Sequence, residues 1–215
     1  MARTQNTLIG RSSGSIGGVT FSTWKGINVA KSKATSVADP KTPAQLIQRR
    51  RMKNAVLLFK AFGSLLNTGF SEAATGQSAY NVFVSQNLKN GSISDELTNL
   101  LNDPALFSIS SGTLDNTPIT TAVATATSDQ ATVNWDSVTA GNKNSFDQVS
   151  ALLLDANGQV LAQSTGAVRR TDGSITLTSN RPLITGEVLH AYLSFFQSTT
   201  RKSSDSVQRA ITVSA

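Results

Sequence analysis

The chain has 215 residues, 39% of them hydrophobic and 15% charged, with no cysteine, one histidine and a net charge of +6. That is enough apolar material for one large domain or two small ones, and too little charge for long charged helices or acidic disorder. No disulfide, thiolate metal site, cysteine nucleophile or multi-histidine metal site can be built within one chain, and no run of about eighteen apolar residues offers a transmembrane helix.

The start, Met1 to Asn6, carries Arg3 but no apolar run behind it, so it does not read as a secretory signal. The expectation is a protein made in the cytoplasm that stays there or leaves inside a larger particle. Charge is unevenly spread. Residues 1–60 hold eleven Lys/Arg and one acid, Asp39, a balance of +10; residues 61–215 hold eight Lys/Arg and twelve acids, a balance of −4. A basic front and an acidic remainder suit nucleic acid, an acidic protein surface, or head-to-tail contact with another copy.

Residues 1–38 are rich in Gly, Ser and Thr, punctuated by Gly10, Gly14, Gly17, Gly18 and Gly26. Ile16 to Trp24 and Ile27 to Lys33 read as two strands around Lys25-Gly26. Val19, Phe21 and Thr23 alternate with Thr20, Ser22 and Trp24. Such a hairpin has too little core to stand alone. The Gly-rich run lacks the Gly-Lys-Ser/Thr ending of a phosphate loop.

Residues 39–104 read as helical. Thr42, Pro43 and Gln45 have the spacing of a capped helix start, and the helix is expected to run from Ala44 to about Leu66, with Gly63 its weak spot. Leu46, Ala55, Leu58, Phe59, Phe62 and Leu65/Leu66 form the apolar stripe. Arg49 and Lys53 share a face, and Arg50, four after Leu46, is placed toward the inner side. A second helix is expected over Gln77–Leu88, ended by Asn90-Gly91, and a short third one at Ser94-Asp95-Glu96.

Residues 105–215 change period. Strands are expected at Leu106–Ser110, Ile119–Ala126, Ala131–Trp135, Val149–Asp155, Val160–Gly166, Ser174–Thr178, Val188–Phe196 and Val207–Val213. Asn157-Gly158 is a hairpin signal. Short strands at this density, with Trp135 as a core residue and no disulfide, suggest a fibronectin-type sandwich that folds by itself over residues 115–215.

Chemistry is sparse. The carboxylates are scattered, and Asp155-Ala156-Asn157-Gly158 lacks the terminal Glu of a calcium loop. His190 sits between Leu189 and Ala191 in a strand, and no G-x-S-x-G elbow accompanies it, so it reads as structural. The run Gln48 to Lys53 could contact phosphates. No recognised nucleic-acid fold or interleaved aromatics surround it, and arginine also suits carboxylates at protein interfaces.

The motif Gly14-Ser15-Ile16-Gly17-Gly18-Val19-Thr20-Phe21, the segment Trp24 to Val29, and Pro40-Lys41-Thr42-Pro43-Ala44-Gln45 followed by Arg49 to Lys53 resemble a family of uncharacterised proteins from Bacteroidetes genomes and phages. Ala79 to Asn87, Ala191 to Phe195 and Ser204-Asp205-Ser206 extend the resemblance over nearly the whole chain. It departs at Asp39, where Asn is common, and at Arg51-Met52-Lys53. The resemblance implies a non-enzymatic phage structural protein or a bacterial relative, and no catalytic residue transfers.

The sequence thus predicts an α+β chain: a β-hairpin arm (1–38), a helical region (39–104) and a C-terminal immunoglobulin- or fibronectin-like β-sandwich (105–215). The functional expectation is a bacteriophage virion structural protein, a head–tail (neck or tail ring) or capsid-associated subunit. It is expected to act by assembly, without cofactor or membrane, on capsid, portal or tail-ring proteins and on copies of itself. The alternative is a basic DNA-associated protein packaged or ejected with the genome. The assembly residues are expected to be Val19, Phe21, Trp24, Arg49 and Lys53.

Overall fold

The structure, a computed structural model, describes residues 2–4, 13–36, 39–137 and 139–215. Gly10 and the boundary drawn at residue 38 lie outside the described residues. The chain divides into two compact units, residues 1–42 and 43–215.

The first unit is a four-stranded antiparallel sheet of β1 (Ala2–Thr4), β2 (Gly14–Ile16), β3 (Val19–Trp24) and β4 (Ile27–Ser32), in the order β1-β4-β3-β2. The β3–β4 turn is Lys25-Gly26, with φ of 46° and 80°. Two consecutive left-handed residues give the turn whose twist matches paired strands, and glycine takes the second position without a Cβ clash. None of residues 13–36 and 39–42 is buried.

The second unit opens with three helices: α1 (Pro43–Ala61), α2 (Gly63–Gly69) and α3 (Ala79–Lys89). The helix expected to reach Leu66 is broken at Phe62, whose φ of −128° leaves the helical range just before Gly63. Ser78 caps α3 by accepting the Asn81 amide at 3.2 Å. Asn90 and Gly91, the latter at φ 75°, terminate it.

The β strands follow as β5 (Ile119–Thr125), β6 (Gln130–Trp135), β7 (Gln148–Asp155), β8 (Val160–Arg169), β9 (Ser174–Thr178), β10 (Val188–Gln197), β11 (Lys202–Ser203) and β12 (Val207–Ser214). They run in the order β8-β7-β10-β12-β5-β6-β9, with β11 on β10. The β12–β5 pairing is parallel and short, at Val213–Ala124 and Ser214–Thr125; the other pairings are antiparallel. The sheet folds over at β12 into a sandwich. Ala124, Val133 and Ile175 from one half meet Val149, Leu153 and Leu193 from the other. The amide of Asn180 donates to the Leu161 carbonyl at 2.9 Å, drawing the two free edges together.

β7 and β10 are covered on both sides. Val149, Ala151 and Leu153 face the sandwich interior, while Leu152, Leu154 and Tyr192 belong to a second core with Phe62, Phe83 and Phe107. Burying each such large side chain contributes about 1.5–3 kcal/mol relative to exposing it. The rings there meet edge-on: Phe83 with Phe107 at 6.0 Å, and Phe107 with Tyr192 at 5.6 Å. The helices and the sandwich therefore form one body. The composition change near residue 105 marks a change of secondary structure, and residues 115–215 alone would leave a face of three large apolar side chains open.

Two expected elements are absent. Ser94-Asp95-Glu96 is a turn, because the Ser94 hydroxyl accepts the Glu96 amide at 3.0 Å and Ile93 bridges to Leu101. That local bond serves a turn as well as it would serve a helix cap. Leu106 to Ser110 is not a strand. Asp103 caps a 3₁₀ turn over Pro104–Leu106, and Phe107 and Ile109 are buried against the helices instead. Their alternation reflects a segment pressed into a core, without a sheet partner among the described residues.

Candidate functional site

The N-terminal sheet presents two unlike faces. Directly opposed residues of neighbouring strands share a face, and the register places Ile16 beside Val19, Phe21 beside Gly14 and Ala30, and Thr23 beside Asn28. The Thr23 hydroxyl donates to the Asn28 side chain at 2.9 Å, on the same face. The reverse face carries Thr20, Ser22 and Trp24 with Ile27, Val29 and Lys31. Of the expected assembly residues, Val19 and Phe21 thus lie together and Trp24 points the other way. Ile16 is 76% exposed, Val19 38% and Trp24 53%, and Phe21 is half-buried.

Arg49 and Lys53 are exposed on α1, in the other unit. At 100° per residue, Leu46, Arg50, Lys53, Leu57 and Lys60 form one stripe, and all five are exposed. The buried arc on the opposite side is Asn54, Ala55 and Leu58. Two expectations are corrected here. Leu46 belongs to the outward stripe, and so does Arg50, one turn beyond it. The inward arginine is Arg51, half-buried and 3.8 Å from Asp95. The reason is where the core ends: Pro43 to Arg50 are all exposed, so an apolar residue in those two turns has nothing to pack on within its helix's buried arc. Leu57, 44% exposed beside the buried Leu58, was missed by the stripe pattern. Its spacing of four from Lys53 and eleven from Leu46 was the available signal.

The ionisable groups of the interior are engaged within the fold. Arg170 is fully buried; it donates to Asp147 at 2.9 Å, to the Thr117 hydroxyl at 2.6 Å and to the Asp115 carbonyl at 3.0 Å. Its guanidinium lies 3.8 Å from the centre of the Phe195 ring. Burial draws its pKa below the usual value, and the hydrogen bond and charge of Asp147 oppose that. His190 is half-buried, with Nδ1 2.9 Å from the Gln208 amide nitrogen. Burial lowers its pKa, opposed by Asp103 and Asp155. Among the described residues, no group of three His, Asp or Glu side chains is placed to hold a metal ion. The hollow beside the β10–β11 turn, about 260 Å³, is lined by Asn144, Phe146, Asp147 and Gln197 to Thr200. Its acid and amide are already spent on each other: Gln197 donates to Asp147 at 2.8 Å.

A profile described as a family of unknown function, DUF6266, matches residues 11–209. The chain belongs to the DUF6266 family. The match runs through the N-terminal sheet, the helices and most of the sandwich. No curated protein matches this DUF6266 chain. Among solved structures it is similar to the adhesin domain of Epf from Streptococcus pyogenes, at 18% identity and a TM-score of 0.33, over 47% of this chain and 33% of that one. It is also similar to an FMN-binding β-glucuronidase from Faecalibacterium prausnitzii, at 16% identity and a TM-score of 0.31, over 44% of this chain and 14% of that one.

Proposed function

We propose that this DUF6266 chain is a non-enzymatic assembly subunit of a bacteriophage virion, at the head–tail junction or on the capsid. In this reading an immunoglobulin- or fibronectin-like sandwich is the rigid body. The N-terminal sheet and the outward face of α1 make the contacts with capsid, portal or tail-ring proteins and with other copies. The observation that carries the reading is the N-terminal unit: a sheet in which no residue of β2, β3 or β4 is buried while Ile16, Val19 and Trp24 stand exposed. A single-layer sheet with apolar residues on both faces needs a second layer to be stable. The particle setting is supported by the resemblance of the Gly14–Phe21 and Pro40–Lys53 motifs to phage and Bacteroidetes chains. The opposed charges of the two parts of the chain favour head-to-tail packing of copies. On α1, Leu46 and Leu57 alternate with Arg50, Lys53 and Lys60, which suits an acidic protein surface with apolar contacts better than a phosphate backbone.

The test is incorporation. A chain lacking residues 1–35, and an Arg49→Glu/Lys53→Glu double variant, are expected to remain folded and to be absent from purified particles. The intact protein is expected to bind duplex DNA weakly at physiological salt. Normal incorporation of the truncated chain would remove the assembly role. Tight DNA binding with steep salt dependence, lost in the double variant, would replace it with the DNA-associated one.

A further inference from the structure

Three loops meet at one end of the sandwich, and a buried ion pair fixes them. The fully buried Asp147 carboxylate accepts Arg170 Nε and the Asn144 amide, each at 2.9 Å, and the Gln197 side-chain amide at 2.8 Å. These bonds tie the loop before β7 to the 3₁₀ turn Arg170–Asp172 and to the end of β10. Taking two charges out of water offsets most of their attraction, so such a pair adds little stability. What it supplies is a fixed geometry. The Asp147 amide donates to the Asn144 carbonyl at 3.0 Å, and Asn144 Oδ1 accepts the Phe146 amide at 3.0 Å. That closed turn leaves Phe146 68% exposed, its ring centre 5.2 Å from the Arg169 guanidinium. Phe146 is thus an exposed aromatic on a pinned loop.

Phe146 lines the hollow of about 260 Å³ beside the β10–β11 turn, and the rest of the lining is neutral and polar. The Asp147 charge is answered by Arg170, so the hollow offers no unpaired charge to an ionic ligand. Asn144 Nδ2 and the Ser198 and Thr199 hydroxyls make no hydrogen bond among the described residues. The Thr200 hydroxyl donates to Gln197 Oε1 at 2.8 Å and keeps its acceptor sites. Donors and acceptors are therefore mixed beside one aromatic ring. A pyranose has the complementary make-up: faces of C–H bonds that lie on an aromatic ring, and a rim of hydroxyls that each donate and accept. The volume falls at the foot of the range for small-molecule pockets, which is room for one ring and not for a chain. We infer that this hollow is a binding site for one ring of a neutral saccharide, stacked on Phe146 with its hydroxyls on Asn144, Ser198 and Thr199. It binds without cleaving, because Asp147 is the one acid among the described lining residues and glycoside hydrolysis takes a pair of carboxyl groups. The site lies within residues 43–215 and is independent of the assembly reading, on which particle incorporation alone bears.

The full-length protein is the sample, titrated with methyl α-glucoside, methyl α-mannoside, methyl β-galactoside and N-acetylglucosamine while its amide chemical shifts are followed. At least one of the four is expected to bind at about millimolar affinity, the range open to a single ring, and to move the amides of Asn144, Phe146, Ser198 and Thr199. Phe146→Ala is expected to weaken that binding about tenfold without lowering the melting temperature. Thr199→Val, which removes a hydroxyl at nearly constant size, should weaken it as well. Ile184→Ala, at an apolar side chain 67% exposed in the loop that enters the other end of β10, should leave it unchanged. No shift at these amides with any of the four sugars at up to about 50 mM would overturn the inference, and so would binding that Phe146→Ala leaves intact. Acetate, phosphate and adenosine serve as comparison probes. If any of them moves the same amides at lower concentration than every pyranoside, the hollow belongs to an anion or a planar base and the saccharide site falls.

Discussion

The Glu72 carboxylate accepts the Ser203 amide at 2.8 Å, joining the segment after α2 to β11 across 131 residues of sequence. The same carboxylate accepts the Thr113 hydroxyl at 2.5 Å and the Thr113 amide at 3.2 Å. Gly112 is obligatory beside it, since a Cβ there would strike the Ser203 carbonyl and the Glu72 carboxylate. Burial alone would raise the Glu72 pKa. The three hydrogen bonds and the charge of Lys202 outweigh it, so the carboxyl is held below its ordinary value of 4.5.

A carboxyl that ionises more readily when folded favours the fold at pH above its unfolded value, and this contribution is lost as pH falls through the lowered folded value. Stability measured by urea unfolding is therefore expected to be level near neutrality and to fall below pH 4.5. Glu72→Gln should be less stable at pH 7 and should lose less on acidification. A variant with the same acid sensitivity as the natural protein would remove Glu72 from this role.

Trp135 is 4% exposed; its indole N–H donates to the Arg170 carbonyl at 2.8 Å, and its ring meets Phe195 edge-on at 6.0 Å. Trp135→Ala is expected to cost about 3–5 kcal/mol in chemical denaturation. Asp147→Ala leaves the buried Arg170 charge without its carboxylate and is expected to cost a similar amount, about 3–5 kcal/mol. Both variants should leave the fluorescence of Trp24 unchanged.

Leu57 and Leu58 are neighbours in sequence with opposite fates, 44% and 0% exposed. Leu58→Ala is expected to destabilise by about 2–5 kcal/mol. Leu57→Gln should stay within about 0.5 kcal/mol of the natural protein. In the assembly reading it is the harmless-looking Leu57 change that lowers incorporation into particles. A large stability loss for Leu57→Gln would show that the outward stripe is core.

Residues 43–215 are expected to unfold in one cooperative transition when expressed without the N-terminal unit. Residues 115–215 expressed alone expose Leu152, Leu154 and Tyr192, along with the Tyr192 hydroxyl that normally donates to the Pro104 carbonyl at 2.7 Å. That fragment is expected to aggregate or bind a hydrophobic dye. A soluble, cooperatively melting fragment would show that the helices are an optional cover.

Seven of the eight C-terminal strands proposed from sequence correspond to strands, within three residues at their ends. They were legible because period-two alternation and the turn residues between them are local properties. At Asn157-Gly158 the local signal also carries tertiary meaning: Gly158 is at φ 77°, and a Cβ there would approach Leu101 to 2.8 Å. The limits of the approach show at Leu106–Ser110 and Leu46. Alternation at Phe107 and Ile109 comes from burial against helices, and helical spacing at Leu46 continues past the end of the core that α1 packs on. Periodicity records which residues are apolar but not what covers them. The double burial of β7 and β10, the buried Arg170–Asp147 pair and the Glu72 lock depend on contacts between segments up to 131 residues apart, so tertiary structure alone decided them. The charge asymmetry and the chemical poverty of the chain were already in its composition. The placement of Val19 and Phe21 on one face of the N-terminal sheet and Trp24 on the other was confirmed by the strand pairing, because one residue's shift in register would exchange the faces.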